Sequence, residues 1–518
     1  MRHSVIPKPF HPALAADALP LSRRGVMPSS LIHLDPGLPP RMSGRQDLVW
    51  AFSGWACRPG ARLRAVEVVV AGTRFAAAEL GTVRLDADAA QRRQGWEPAN
   101  PASGFWGLAA LPPSASGGEL LPVLRVEWTD GTLEEWPAGR VRLDAAAAPI
   151  PVPSPQGTPP LVAIAMATYN PDPVLFQAQV ASIRAQTHGH WICLVEDDGS
   201  DDAHWRVILD ATAGDDRFRV RRNDANLGFY RNFERALARV PPEAAFVALA
   251  DQDDRWAPDK VASLMAALDE VGAVLAFANM RVVDRAGRLL SATFWPGLDS
   301  RCDSLDALLM ANAVTGCACL FRASLLRLAL PFPALGRTAY HDHWLACCAA
   351  ASGTIVYRPQ PMGDYVQHEA NSLGYQRRPG LRLAVKALSA LLLVPVVSLA
   401  GQSAAVRRWL ARPLGLLVDM PEAELVCRVA FAETLRRRTE LDGAGRRAVA
   451  TFLPGPRPTL RLLAAFLRTG RRGRAFRGVA ARLIVGRLIN GLMGALARRC
   501  RPTGIGAGAS LSSGGKGA

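Results

Sequence analysis

The sequence has no uninterrupted apolar run of the roughly 20 residues that a membrane-spanning helix requires. Its most apolar stretch, Leu381 to Ala400, has a 14-residue uncharged part, Ala387 to Ala400, and is interrupted by Lys386 and Pro395. A buried or interfacial segment is expected there. Cysteine forms no framework: the nine present are an odd number and sit mostly inside apolar runs, as reduced, buried thiols do in a reducing compartment. Cys317-Ala-Cys319 and Cys347-Cys348 lack zinc-ligand spacing, although His341 and His343 lie near in sequence. The first residues are basic but carry no apolar stretch before a cleavage site, so a secretory signal is not expected. Between residues 161 and 375 there is no Gly-x-x-x-x-Gly-Lys and no Gly-x-Gly-x-x-Gly, which argues against an ATPase phosphate loop and a dinucleotide fold.

Acidic residues are scarce in one region only. Of the net charge of +16, residues 376–518 hold 26 Lys or Arg against 6 Asp or Glu, so this part carries +20 and the rest −4. The positive charge therefore bears on where the protein sits and not on central chemistry, and it suits an anionic membrane face or nucleic acid. Over Thr459 to Arg501 apolar residues alternate with arginines. This is the pattern of a basic amphipathic helix lying flat on an anionic membrane, and equally of a packed helix with a charged outer face.

What is present divides the 518 residues into several parts. Residues 1–44 read as a poorly ordered leader. Residues 45–144 hold short β-prone runs, Leu48 to Phe52, Leu63 to Ala71, Thr73 to Ala78 and Leu121 to Trp128, separated by Gly, Pro and Asp. They predict a small β-sandwich, either a structural domain or a sugar-binding accessory. Residues 145–160 contain six prolines and form a stiff linker. From 161 to 375 strands alternate with helices: strands at 162–167, 191–195, 218–221 and 246–250, helices at 171–186, 204–212, 228–240 and 258–268. That alternation predicts an α/β fold with a mostly parallel sheet flanked by helices and a ligand site beyond the carboxyl ends of its strands. Residues 376–501 are a basic helical region, and 502–518 a Gly/Ser/Ala-rich disordered tail.

The polar clusters fall at those strand ends. Asp251, Asp253 and Asp254 follow a buried strand directly, where like charges repel unless a cation such as Mg²⁺ or Mn²⁺ joins them. The same cluster reads as an Asp-rich loop in which Asp254 caps a helix starting near Trp256. Asp197, Asp198 and Ser200 could accept hydrogen bonds from a ribose or a base, or serve as turn and cap residues. Arg222 and Arg231 are candidate diphosphate contacts. Asp342 stands at a helix start between His341 and His343, placed either to take a proton from a hydroxyl or to cap; the two histidines diverge on a helix, so at most one assists it. His368 and Asn371 are close enough to share one turn.

Thr168-Tyr-Asn170, Val195-Glu-Asp-Asp-Gly-Ser200, Asn226-Leu-Gly228, Ala250-Asp-Gln-Asp-Asp-Arg-Trp-Ala-Pro-Asp-Lys260, Tyr340-His-Asp-His-Trp344 and Gln367-His-Glu-Ala-Asn371 together resemble the family 2 glycosyltransferases, in particular a bacterial rhamnosyltransferase-like branch. The resemblance implies an inverting enzyme of GT-A fold. It puts Thr168, Asn170 and Asp198 in a nucleotide pocket, Asn226 and Gly228 at its edge, and Asp251 with Asp253 at the nucleotide, the diphosphate and its metal. It makes Asp342 the general base and sets His368 beside the diphosphate. Where the family usually has an acidic residue before that Asp, this chain has His341. The implied partners are a dTDP-, UDP- or GDP-linked sugar and a glycan or lipid-linked acceptor in surface polysaccharide synthesis. The expected place is cytoplasmic, peripheral on the inner face of the cell membrane through the C-terminal region, with no nucleic-acid partner. Gln402 and Arg408-Trp409 do not form the Gln-x-x-Arg-Trp motif, which disfavours processive synthesis. A nucleotidyltransferase and a non-catalytic sugar- or nucleic-acid-binding protein are the alternatives.

Overall fold

The computed structural model describes residues 29–35, 41–43, 47–82, 84–94, 96, 103–111, 117–144, 159–294, 304–335, 339–369, 371, 423–453, 463–464 and 483–484. Residues 1–28 of the expected leader, 145–158 of the linker, the apolar stretch 381–400, almost all of the basic pattern over 459–501 and the 502–518 tail lie outside the described residues. No helix among the described residues is long and apolar enough to cross a membrane. The described cysteines are buried.

The N-terminal part is β-rich, as its short alternating runs require. It comprises β1 (Leu31–Leu34), β2 (Arg41–Ser43), β3 (Leu48–Cys57), β4 (Leu63–Val70), β5 (Thr73–Thr82), α1 (Leu85–Arg93), β6 (Gly104–Leu111), β7 (Gly118–Leu120), β8 (Val123–Trp128), β9 (Leu133–Pro137) and β10 (Val141–Asp144). The strands form a seven-stranded sheet, β1-β3-β6-β5-β4-β8-β9, and a three-stranded one, β2-β10-β7. Alternate residues Val66, Val68 and Val70 of β4 and Leu124, Val126 and Trp128 of β8 point into one core with Trp50, Phe52 and Phe105. Two segments assigned to the leader are strands: β1 pairs antiparallel with β3, and β2 parallel with β10. Runs of four and three residues are too short to show a period.

Residues 161–367 build a nine-stranded sheet. Its strands are β11 (Leu161–Thr168), β12 (Trp191–Asp197), β13 (Phe218–Arg222), β14 (Ala244–Ala250), β15 (Arg255–Trp256), β16 (Leu275–Asp284), β17 (Leu289–Ser291), β18 (Cys319–Arg322) and β19 (Ile355–Gln367). The helices are α2 (Pro173–Arg184), α3 (Asp202–Thr212), α4 (Phe229–Ala238), α5 (Lys260–Val271), α6 (Leu305–Met310), α7 (Leu326–Ala329) and α8 (His341–Ser352), followed by α9 over 423–438 and α10 (Gly443–Phe452). Asp172 caps α2 through the Val174 and Leu175 N–H groups, with Pro173 at the first turn; Asp201 caps α3 through His204 N–H.

Six of the nine strands, β13, β12, β11, β14, β16 and β19, share one direction, as expected of a mostly parallel sheet. β13, β12, β11 and β14 run parallel, but β18 lies antiparallel between β14 and β16, and β15 pairs antiparallel with β19. Hydrophobic periodicity reports burial and not strand direction, so the reversal was invisible in sequence. Both faces are covered. Val162, Ile164 and Met166 face a core with Phe176, Val180 and Ile183 of α2 and Leu264 of α5. Ala163, Ala165, Val247 and Leu249 face one built with α4, α8 and α9.

The N-terminal part is hydrogen-bonded onto this body. Ala51 N–H donates to Ala334 O at 3.0 Å, and Ala334 N–H to Val49 O at 2.8 Å, so β3 gains a short parallel bridge from residues 331–335. Arg438, at the end of α9, ties the joint from behind. Its guanidinium donates to Asp47 O at 2.6 and 2.9 Å and to Leu328 O at 3.1 Å and Pro331 O at 2.7 Å. Burial draws its pKa down to about 10, while nearby acidic groups oppose that shift. Arg438→Met would orphan these carbonyls, and is expected to lower unfolding stability by about 2–4 kcal/mol in chemical denaturation. Arg437→Met, which loses a partly exposed pair with Glu433, should stay within about 0.5 kcal/mol; equal effects would dismiss the clamp.

Candidate functional site

Three parallel strands deliver their carboxyl ends to one edge: Thr168 lies opposite Asp197, and Met166 opposite Ala250. The first layer built there is a lattice of loop contacts. Buried Asp197 accepts from Thr168 Oγ at 3.0 Å and from Ser200 N–H at 2.9 Å. Asn170, with φ of 41° in the left-handed region that asparagine tolerates, donates its N–H to Ser200 Oγ at 2.7 Å and accepts from Asp201 N–H at 3.1 Å. Asp198 accepts from Leu227 N–H at 2.7 Å and Gly228 N–H at 2.8 Å, and Asn226 donates to its carbonyl at 3.3 Å. Gly228, at φ of 84°, takes a backbone conformation closed to most side chains. Burial raises the Asp198 pKa, against those backbone donors.

The sequence-predicted nucleotide residues are thus brought together, with a difference in depth. Thr168 and Asp198 are 2% exposed and turned onto protein groups. Asn170, Asn226 and the 48%-exposed Tyr169 stand at the surface. The arginines suggested for a diphosphate are engaged elsewhere. Arg231 pairs with Glu234 and donates to the carbonyls of Phe332 and Pro333; Arg222 pairs with Asp202 and donates to Ser200 O.

The acidic loop follows β14. Gln252 clamps the Tyr169 backbone from both sides, accepting from its N–H at 2.8 Å and donating to its carbonyl at 3.2 Å. Asp253 Oδ2 lies 2.8 Å from His368 Nε2. Fully buried Asp254 accepts from Val366 N–H at 3.2 Å and does not cap a helix, since α5 starts only at Lys260. Burial and then the charges of Asp253 and Asp342 push the Asp251 pKa up; burial with Asp253 and Asp251 does the same to Asp254. Beneath them, buried Lys260 donates to Cys317 O and sits 3.4 Å from the Trp256 ring centroid. Burial brings its pKa down to about 8.

These residues fit a divalent cation. One ligand atom each of Asp251, Asp254 and Cys317 lies within 4.8 Å of the others, and Asp254 Oδ2, beside the Cys317 thiol, meets no nitrogen or oxygen donor among the described residues. Burial holds the Cys317 thiol well above its usual pKa, hence protonated, so the set offered to a hard cation is carboxylate oxygen. Sequence reasoning paired Asp251 with Asp253; the structure adds Asp254, whose carboxylate approaches Asp251 while Asp253 meets His368.

Asp342 faces this cluster from the start of α8. Its Oδ1 accepts from His343 N–H at 2.7 Å and its Oδ2 from Gly316 N–H at 3.3 Å. Burial pushes its pKa up to about 6, against those donors. Gly316 is required here: a Cβ would come within 2.8 Å of His341 Nε2 and 3.3 Å of Asp342 Cβ. The two histidines diverge as the helix period dictates. His341 stacks on Phe233 at 3.7 Å, and His343 Nε2 lies 2.5 Å from Leu308 O. Burial draws both toward about 3, so both are neutral imidazoles. Asn371 closes its own turn, accepting from His368 N–H and donating to Val366 O at 3.1 Å. Gln252, Lys260, Gly316 and Cys317 were missed in sequence, since each acts through a loop remote in the chain.

Residues 163–328 match the family described as Glycosyl transferase family 2. "Uncharacterized protein y4gI" of Sinorhizobium fredii is 34% identical over 111 residues, 21% of this chain and 12% of the relative. "Putative teichuronic acid biosynthesis glycosyltransferase TuaG" of Bacillus subtilis is 27% identical over 128 residues, 25% of this chain and 50% of the relative. The chain therefore spans half or less of the length of these curated relatives. Among solved structures, S. aureus TarS 1-349 in complex with UDP-GlcNAc aligns with 64% of this chain and 92% of its own, at 16% identity and a TM-score of 0.37, too low to rest a shared activity on. The family match runs from β11 through β14 and the acidic loop, and ends before Asp342.

Proposed function

We propose that this chain is an inverting, metal-dependent GT-A glycosyltransferase. It moves a sugar from a nucleotide-sugar donor to a hydroxyl of a glycan or lipid-linked glycan in surface polysaccharide synthesis. The observation that carries this reading is the juxtaposition of Asp251, Asp253 and Asp254 at a parallel strand end with Asp342, close enough for the charge of Asp342 to raise the Asp251 pKa. A carboxylate cluster of that kind suits a cation-bound diphosphate, and a lone carboxylate facing it suits an acceptor hydroxyl.

In this reading the Tyr169–Asn170 tip and Asn226 bind the nucleotide, and Asp251 with Asp253, backed by Asp254, holds Mg²⁺ or Mn²⁺. The cation, when bound, supplies counter-charge to the diphosphate. His368 orients Asp253. Asp342, fixed by the Gly316 and His343 N–H groups, takes the acceptor proton. The freed oxygen bonds to the anomeric carbon as the bond to the diphosphate oxygen breaks, and the nucleoside diphosphate leaves with that electron pair. Attack opposite the leaving group inverts the configuration. The donor is a dTDP-, UDP- or GDP-sugar, with rhamnose first to be tried on the strength of the resembled branch. The +20 balance of residues 376–518 supports a peripheral place on an anionic inner membrane face.

Asp342→Asn is expected to lower turnover by roughly a hundredfold or more, with donor affinity by calorimetry unchanged; near-normal turnover would remove Asp342 from the role. Only the ionised carboxylate accepts a proton, and its pKa is held up to about 6. Wild-type kcat/KM should therefore fall as pH drops through about 6, and a flat profile down to pH 5 would contradict that assignment. In a thermal-shift screen of nucleotide sugars, stabilisation should need donor and Mn²⁺ together and vanish in Asp251→Asn. No response to any pair would refute the enzyme reading.

A further inference from the structure

The helix α2 carries a polar face that core packing does not explain. Gln179 and Ser182 sit at i and i+3 on one side of α2, and Gln186 follows just past the helix end; both glutamines point inward, Gln179 0% exposed and Gln186 6%. A buried glutamine costs stability unless both ends of its amide are bonded. Here some bonds stay within residues 179–186, Gln186 Nε2 to Ser182 O and Ser182 Oγ to Gln179 O, and others reach the acidic loop and the start of α5. Gln179 Nε2 donates to Asp251 O at 3.0 Å, and its Oε1 lies 2.9 Å from Ser182 Oγ. Ser182 Oγ in turn accepts from Trp256 N–H at 3.1 Å. Gln186 Nε2 donates to Ala257 O at 2.8 Å, and its Oε1 accepts from Val261 N–H at 3.1 Å.

We propose that Gln179, Ser182 and Gln186 are positioning residues that hold the 251–261 loop in register along residues 179–186, with Gln179 fixing the Asp251 end on which cation affinity depends. This rests on the metal-dependent reading given above. Gln179 and Ser182 stand on α2 and Gln186 just beyond its last residue, so one continuous stretch of chain meets the loop at both ends. The loop's other ties run elsewhere: Gln252 to the Tyr169 backbone, Asp253 and Asp254 to the end of β19 through His368 and Val366, and β15 to β19. The Gln179 amide orients the peptide group of Asp251, and through it the direction in which the Asp251 carboxylate leaves the chain. Gln186 acts at the far end, at the start of α5.

The test is a titration of full-length protein with Mn²⁺ alone, free ion read by electron paramagnetic resonance, alongside melting temperature without metal. Wild type is expected to bind, Gln179→Met to bind ~10-fold more weakly, and Ser182→Ala ~3-fold more weakly, in the range for partners that orient metal ligands. Gln186→Met is expected to melt as early as Gln179→Met yet keep Mn²⁺ affinity within about twofold, which separates positioning from simple loss of stability. Wild-type affinity in Gln179→Met overturns the inference, as does equal weakening in Gln186→Met. If Gln179→Met does not fold, Ser182→Ala decides in the same way. Absence of Mn²⁺ binding by wild type overturns the metal site itself, a different failure.

Discussion

Crowded negative charge at the end of β14 is the constraint to which the surrounding structure answers. In a place largely shut off from water, burial and then the charges of Asp253 and Asp342 raise the proton affinity of Asp251. Burial with Asp253 and Asp251 raises that of Asp254, and burial raises that of Asp342. Such an arrangement stands only if other groups offset it. Val366 N–H and His368 meet two of the loop carboxylates, Lys260 lies beneath, and Gly316 N–H with His343 N–H meets Asp342. The topology follows the same need. β15 returns the acidic loop to the sheet against β19, and the end of β19 is where His368 and Val366 are found.

Much of this was legible in the sequence. Buried strands such as Leu161–Thr168 and Trp191–Asp197 read as apolar runs ending in polar tips, and the helices between them lie within a few residues of their expected bounds. The reversal at β18 was not legible, because that strand has four residues and its antiparallel place between β14 and β16 depends on contacts distant in the chain. Nor was the depth of polar groups. Asp198 looks in sequence like a ligand for a ribose, yet backbone N–H groups of residues 227 and 228 occupy its oxygens.

The converse holds for α2. Gln179 and Ser182 on the helix and Gln186 just past it form a polar stripe that in sequence is indistinguishable from a solvated helix face, and the structure turns both glutamines inward. A periodicity identifies which residues share a side but not what that side meets. Arg231 shows the same limit: a cation near a supposed phosphate site is instead the strut that carries residues 332 and 333.

That strut has a bearing on how the N-terminal sheets relate to chemistry. The segment that β3 grips at Ala334 is held on its other side by Tyr230 and Arg231 of α4, and the chain then runs to Tyr340, which packs on Phe229 just ahead of Asp342. The N-terminal sheets are consequently part of the wall on which Asp342 is mounted. Evolution or engineering that exchanges this part for another must carry the Ala334 and Tyr340 contacts along with it, or accept an Asp342 aimed differently.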